Sequence, residues 1–478
     1  MFKKLFRRVW DSPTILTGGN MISSTIRLLI LTPLILVRYN IDEIAFWYLL
    51  LTINSFATVI DFGFYPTFSR VVSYVFHGME SFDHKTGSHD AGNGKPNWEL
   101  MKRIYGTINS TYLAISFLVI VLIVLFSYNS MSNVIIKTHE QTELWTAYYI
   151  YVISVFISFF SRKFDTVIIG TNNLVLITRW DIVNNFLNAL VSVFIVYFHY
   201  SLTVLAASQF FFSLLLVARA YYLERIICDK KFREFKFFTF SKDVFLWCWS
   251  PAWRSGILIL CSTGINQATG LIYSNVANSV NLAAYLLSLK LVTTIAQFSQ
   301  APFYSKLPLL SGLRVKNDIE DLRQVSASSM QKALLVFVIG MGGLILFGQW
   351  GMQLIGSKAS LIDYRILMVM AIVWFLERHH AMHAQIYVTT NKIPFYKSAI
   401  VTGVINISLL VILLPVIDVW AFPVAQGISN LAINNWWNVS VSIKSLQTNF
   451  KQFFLKSAFV PVCIILFIFL IKFLIQAI

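Results

Sequence analysis

Charge is scarce in this sequence of 478 residues: Asp, Glu, Lys and Arg together make up 13% of it, against about a quarter in an ordinary soluble domain. With 57% hydrophobic residues and a mean hydropathy of +0.67, a water-soluble globule is excluded. Cysteine is sparse as well. Cys228, Cys248, Cys261 and Cys463 show no metal-ligand spacing and fall mostly in or beside apolar segments. That excludes a disulfide framework and a zinc module, and leaves buried thiols acting as small hydrophobes. No Walker A sequence, GxSxG elbow, DxD-type metal pair or Cys/His array stands in a fitting context. Without a nucleotide site, any uphill work must draw on an ion gradient or a partner, and no cofactor is expected.

What the chain has in abundance is long apolar runs. Stretches of about 20 residues recur, each long enough to cross a bilayer as a helix. They fall roughly at 15–37, 44–68, 106–127, 145–168, 178–198 and 202–222, and again at 250–273, 282–304, 330–349, 363–386, 396–416 and 420–441, with a thirteenth near 457–477. The pattern predicts an all-α polytopic membrane protein. The start, MFKKLFRRVW, alternates basic pairs with apolar residues, as a helix lying on an anionic inner leaflet does. The apolar segment behind it lacks a small-residue cleavage site, which predicts an uncleaved first span.

Base exceeds acid, with 38 Lys and Arg against 22 Asp and Glu. In a soluble chain the net charge of +16 would suggest nucleic acid; here its placement carries the information. With a cytoplasmic N-terminus, nearly all the basic residues outside the spans fall on inner links. Only Arg38, Lys137, Lys358, Arg365 and Lys472 fall on the other side, while Arg27, Arg219, Arg254 and Lys290 lie within or at the edge of spans. This positive-inside asymmetry fixes the orientation and speaks for no nucleic-acid partner. An odd number of spans puts the C-terminus outside. The long polar links (77–99 and 306–328) are cytoplasmic and the outer links short, so no outer domain is available for chemistry.

The chain also repeats itself. Pro66-Thr67-Phe68-Ser69-Arg70, the end of DFGFYPTFSR, is echoed by Pro302-Phe303-Tyr304-Ser305-Lys306. Upstream of each lies Tyr-Leu-Leu, at 48–50 and 285–287, and further upstream Ser-Pro, at 12–13 and 250–251. The spacings agree to within one residue, which suggests an internal duplication. The division expected is a first lobe of six spans (1–224), a basic cytoplasmic linker (225–245), a second lobe of six spans (246–445) and an extra C-terminal span (446–478). Even-numbered halves keep one membrane orientation, so the repeat is parallel.

Ionisable groups at membrane depth are costly and default to function. Arg27 lies about twelve residues, or ~18 Å, into the first span, and Lys290 near the middle of the eighth. Arg254 lies a turn inside the seventh. Arg70 and Lys306 end the second and eighth spans, where they serve either as inner-side anchors or as ligands. Asp61 precedes Gly63 and Pro66, residues that loosen a helix, so a bend is expected there. Asp165 and Asp181 read as caps or as partners of Arg162, Lys163 or Arg179. His379 and His383 are one turn apart beside Glu377, but the pattern lacks the glutamate of HExxH. Proton handling or a plain inner-interface cluster is therefore preferred to a metal. His77, His84 and His89 read as solvated loop residues, and Trp436 and Trp437 as interface aromatics or a sugar-stacking surface.

In layout, from the basic start through DFGFYPTFSR and the basic link to the second opening at Ser250-Pro251, the chain resembles the Wzx-type O-antigen and exopolysaccharide flippases of the multidrug/oligosaccharidyl-lipid/polysaccharide (MOP) superfamily. The resemblance implies two six-helix lobes whose spans 1, 2, 7 and 8 line a cavity, in the inner membrane of a bacterium. It also implies a substrate, undecaprenyl-pyrophosphate-linked oligosaccharide, moved from the cytoplasmic to the outer leaflet by alternating access, with membrane lipid and polysaccharide polymerase machinery as partners. Arg27, Arg254, Lys290, Arg70 and Lys306 would then hold the pyrophosphate, with Asp61 or Glu377 as the ion-coupling group. The thirteenth span departs from the twelve or fourteen usual in that family. Two other classes compete: a multidrug or cation exporter of the same superfamily, against which the excess of mid-depth cations argues, and a membrane glycosyltransferase or polymerase, which needs an outer loop with paired acids or a nucleophile.

Overall fold

The computed structural model describes residues 13–80, 95–235, 239–390 and 394–477. Among them there is no strand; the protein is all-helical. The helices fall into two compact units, Met1–Val276 and Ala277–Ile478.

The first unit contains α1 (Pro13–Arg38), α2 (Ile41–Ile60), α3 (Phe64–Phe76), α4 (Trp98–Ile135), α5 (Gln141–Gly170), α6 (Leu174–Tyr197), α7 (Leu202–Ile226), α8 (Lys242–Ile259) and α9 (Ile265–Tyr273). A π turn, Leu260–Gly264, joins the last two. The second unit contains α10 (Ser279–Ser299), α11 (Ala301–Tyr304), α12 (Leu307–Val315), α13 (Ile319–Leu354), α14 (Tyr364–Val388), α15 (Tyr396–Ile417), α16 (Ala421–Ala432), α17 (Asn434–Ser445), α18 (Phe450–Ser457) and α19 (Phe459–Ala477).

Each apolar stretch read from the sequence coincides with one helix or with a broken pair. By length and composition, α4, α5, α6, α7, α10–α11, α13, α15–α17 and α19 are each sufficient to cross a membrane. The other expected spans are broken, as in α2–α3 and α8–α9, or diluted by polar side chains such as Glu377 to His380 in α14. Their exteriors are apolar: Phe117, Leu125, Phe186, Val411 and Phe473 are exposed, as a helix surface solvated by lipid should be. The chain is a multi-pass membrane protein.

Two boundaries differ from those expected. The seventh span begins at Lys242, inside the segment expected as linker, so Pro251 sits within α8, whereas Pro13 opens α1. The charged residues Lys242 and Asp243 make a polar first turn that hydropathy alone assigns to a loop. In addition, α8 and α9 group with the first six spans, and the units divide after Val276. The contacts explain it. An aromatic ladder joins α3 to α8, with Phe64 5.4 Å from Phe68, 6.0 Å from Phe245 and 5.9 Å from Trp249. The Ser130 hydroxyl on α4 donates to the Leu271 carbonyl of α9 at 2.9 Å.

Candidate functional site

The residues singled out in the sequence fall in both units. In the first, the break expected at Asp61-Gly63-Pro66 is present. Helix α2 stops at Ile60, Phe62 and Gly63 turn into positive φ (51° and 75°), and α3 starts at Phe64. Glycine is required at 63 twice over: for its left-handed backbone, and because a Cβ there would lie 2.7 Å from Ser255 Cβ and 2.9 Å from the Ala252 carbonyl. Pro66 occupies the first turn of α3, where its missing N–H costs nothing. The second copy does the same in the other unit. There α10 ends at Ser299, and Pro302 sits in the first turn of α11. The two copies of the motif thus share a helix break as well as a sequence.

Asp61 is 5% exposed. One carboxylate oxygen accepts the Tyr65 amide at 3.0 Å, capping α3. The other accepts the Tyr112 hydroxyl at 3.3 Å and lies 3.9 Å from the Arg162 guanidinium. A buried carboxylate is held in this way by one helix terminus, one hydroxyl and one cation. Arg70 and Arg254 are both exposed. Arg70 folds back to donate from Nε to the Pro66 carbonyl at 3.3 Å, and the Arg254 guanidinium lies 5.7 Å from the Trp253 ring. Neither makes an ion pair among the described residues. The side chain of Arg27 lies outside the described residues.

The acids of α5 and α6 have a partner the sequence did not indicate. Asp165 and Asp181 both face Arg219 of α7, at 3.6 Å for Asp165 and in direct hydrogen-bonded contact for Asp181. Of the partners expected from neighbouring sequence, Arg162 lies 3.9 Å from Asp61, and Lys163 is buried with Nζ 4.0 Å from the Phe160 ring. Glu224, also fully buried, accepts the Tyr105 hydroxyl at 3.0 Å. Its place beside Arg225 at a span end reads as an interface residue, so no sequence signal marked it.

In the second unit, Lys290 is half-buried within α10, where its carbonyl accepts the hydroxyls of Thr293 and Thr294 at 3.0 and 2.7 Å. Lys306 is exposed at the start of α12. Glu377 is 9% exposed; it pairs with the adjacent Arg378 at 2.8 Å and accepts the Gln426 amide at 2.5 Å. The His379 and His383 rings are 4.7 Å apart. His380 shares a hydrogen bond of 2.6 Å with Asn435, whereas both ring nitrogens of His383 are buried without a hydrogen-bond partner among the described residues. Among the described residues no group of three or more His, Cys, Asp or Glu side chains is arranged to hold a metal.

The arrangement has a direction. Asp61 and Glu377 each face an arginine of their own unit and Asp165 and Asp181 share one, whereas Arg70 and Arg254 keep exposed positive charge, which favours an anionic partner.

No protein-family model matches the chain, and no curated protein does. Solved structures do. One is an inward-facing multidrug resistance MATE family transporter of the MOP superfamily (TM-score 0.60, 11% identity, covering 91% of this chain and 97% of that one). Another is the lipid II flippase MurJ in an inward closed conformation (TM-score 0.59, 14% identity, 97% and 98% covered). A third is a MOP superfamily transporter from Pyrococcus furiosus, described as having a binding pocket of reverse polarity that suggests a different function (TM-score 0.53, 12% identity, 92% and 98% covered). The chain has the fold of these MOP-superfamily transporters.

Proposed function

We propose that this protein is a flippase for an undecaprenyl-pyrophosphate-linked oligosaccharide, carrying it from the cytoplasmic to the outer leaflet of the bacterial inner membrane by alternating access. The observation that carries the proposal is the contrast just described: Asp61 and Glu377 each have an arginine within ion-pair distance and Asp165 and Asp181 share one, while among the described residues Arg70 and Arg254 have no carboxylate within that distance. A pyrophosphate carries about two negative charges and, in a low dielectric, needs charge-assisted donors. Arg27, Arg254, Lys290, Arg70 and Lys306 are the residues proposed to supply them. A flippase for lipid II has this fold, which supports a lipid-linked cargo. Asp61 and Glu377 are the proposed ion-coupling groups, each already poised against an arginine that protonation of the acid would release. The N-terminus is proposed to be cytoplasmic, and polymerase machinery to take the product. Transport of this kind makes and breaks no covalent bond, so no enzymatic role is proposed.

A cationic-drug exporter of the same fold needs unpaired acid facing its cargo, whereas Asp61 and Glu377 are each paired with an arginine. Cells lacking this protein should accumulate the lipid-linked oligosaccharide on the cytoplasmic leaflet and lose surface glycan. Complementation with Arg254→Gln or Lys290→Gln, at unchanged membrane level, should restore little. Normal surface glycan in both variants removes the site assignment.

A further inference from the structure

The segment between α17 and α19 has no role in the transport site. Residues 444–458, KSLQTNFKQFFLKSA, contain three lysines and no acid. Within them α18 is a two-turn helix capped by Asn449, whose side chain accepts the Lys451 amide at 2.9 Å. It has two faces. Phe453 and Ser457 are buried, and the Phe453 ring lies 5.3 Å from His383 and so packs on α14. Opposite them, Lys451, Gln452, Leu455 and Lys456 are exposed. At 100° per residue these four occupy one continuous face, with Leu455 (48% exposed) between Lys451 and Gln452. Phe450, also 48% exposed, projects from the other side of the helix at its N-terminal end.

Its place in the chain locates it. Only Ala458 separates α18 from α19, an apolar helix long enough to span. A basic helix with exposed Phe and Leu at the mouth of a span lies in the headgroup layer. It is also held there firmly. The Arg314 guanidinium of α12 donates to the Ser445 carbonyl at 2.7 Å and the Ser445 hydroxyl at 3.2 Å, and Arg323 of α13 reaches the Leu446 and Gln447 carbonyls at 3.5 and 3.4 Å. Arg323 is itself paired with Glu320 at 2.9 Å, so Arg314 is the clamp that adds positive charge beside the lysines.

We propose that the outer face of α18 is a binding site for anionic phospholipid headgroups, with Lys451 and Lys456 pairing the phosphates and Leu455 seated among the acyl chain ends. Charge selects this occupant: a face with two lysines and no acid gains from an anionic surface and gains little from a zwitterionic one. Each lysine contributes about fivefold to such binding, and the pair roughly 30-fold.

The test is amide hydrogen exchange of the full chain in lipid nanodiscs, one copy per disc, made of phosphatidylcholine alone or with one-third phosphatidylglycerol. Residues 450–457 should exchange about ten times more slowly in the anionic discs. The Lys451→Gln/Lys456→Gln variant should lose that difference while α14 exchanges as in the unaltered protein. Equal rates in the two discs overturn the proposal, as does a lipid effect that survives the double substitution. Protection by inorganic phosphate in phosphatidylcholine discs would assign the site to free phosphate instead and overturn the lipid assignment. Protection appearing only with two copies per disc would make the face a dimer contact and equally overturn it.

Discussion

Arg219 is where the first unit is most exposed to a single substitution. Its guanidinium lies between Asp165 of α5 and Asp181 of α6, and its side chain is 11% exposed, against 23% and 31% for the two acids. Replacing it by Met preserves the length and apolar stem but leaves two carboxylates facing each other with no cation between them. At an effective dielectric near 20, unit charges 3.6 Å apart interact by about 4–5 kcal/mol. Residual water reduces this most for the more exposed Asp181, so a net loss of about 3–4 kcal/mol is expected, within the range for breaking a buried pair. The assay is unfolding in mixed micelles titrated with dodecyl sulfate, followed by circular dichroism. The same logic predicts that Arg219→Met/Asp165→Asn/Asp181→Asn, which removes all three charges, recovers to within about 1 kcal/mol of the unaltered protein. A single variant within about 1 kcal/mol of the original, or a triple variant no better than the single, would show that the three groups do not act as one network.

Gly63→Ala should cost about 2–4 kcal/mol in the same assay. The left-handed backbone at φ 75° accounts for part, and the contact with Ser255 for the rest; an unchanged midpoint would mean the break can be rebuilt elsewhere. Arg314→Gln should lose about 2–3 kcal/mol through its bonds to Ser445 and Thr389, and Arg314→Lys should regain little, because an ammonium lacks the fork; full recovery by lysine would contradict the geometry. His383→Leu should raise stability by about 1–3 kcal/mol, since it removes two buried ring nitrogens that have no hydrogen-bond partner among the described residues. A loss instead would reveal a ligand or partner for that ring.

The helices were legible because a bilayer demands about 20 apolar residues at a time, and nothing else in a chain looks like that. The break after α2 was legible too, since Gly63 and Pro66 are the residues that such a turn needs. The π turn at Leu260–Gly264 was not: its sequence, LCSTG, carries no local signal that separates it from an ordinary helix. The start of α8 at Lys242 was missed because charge in a first turn and charge in a linker look alike in one dimension. The grouping of α8 and α9 with the first unit is a matter of tertiary contact, set by Phe64, Phe245, Trp249 and the close approach of Gly63 to Ser255. For the site, residue type was readable and environment was not. Asp61 was visible as a buried acid, but its partner Arg162 lies two spans further along the expected order of elements, and the Arg219 bond to Asp181 closes over 38 residues. Ion pairs that distant leave no local spacing to find.

The most direct measurement of the transport proposal uses the purified protein reconstituted in sealed vesicles with a fluorescent undecaprenyl-pyrophosphate-linked oligosaccharide in the bilayer. An impermeant reagent that quenches the outer leaflet then reports how fast the lipid crosses. Vesicles with the protein should exchange the lipid between leaflets at a rate dependent on an imposed ion gradient, and those with Arg254→Gln should fall back toward empty vesicles. A protein that leaves this lipid where it was placed, yet moves a cationic dye down or against the same gradient, would contradict the account.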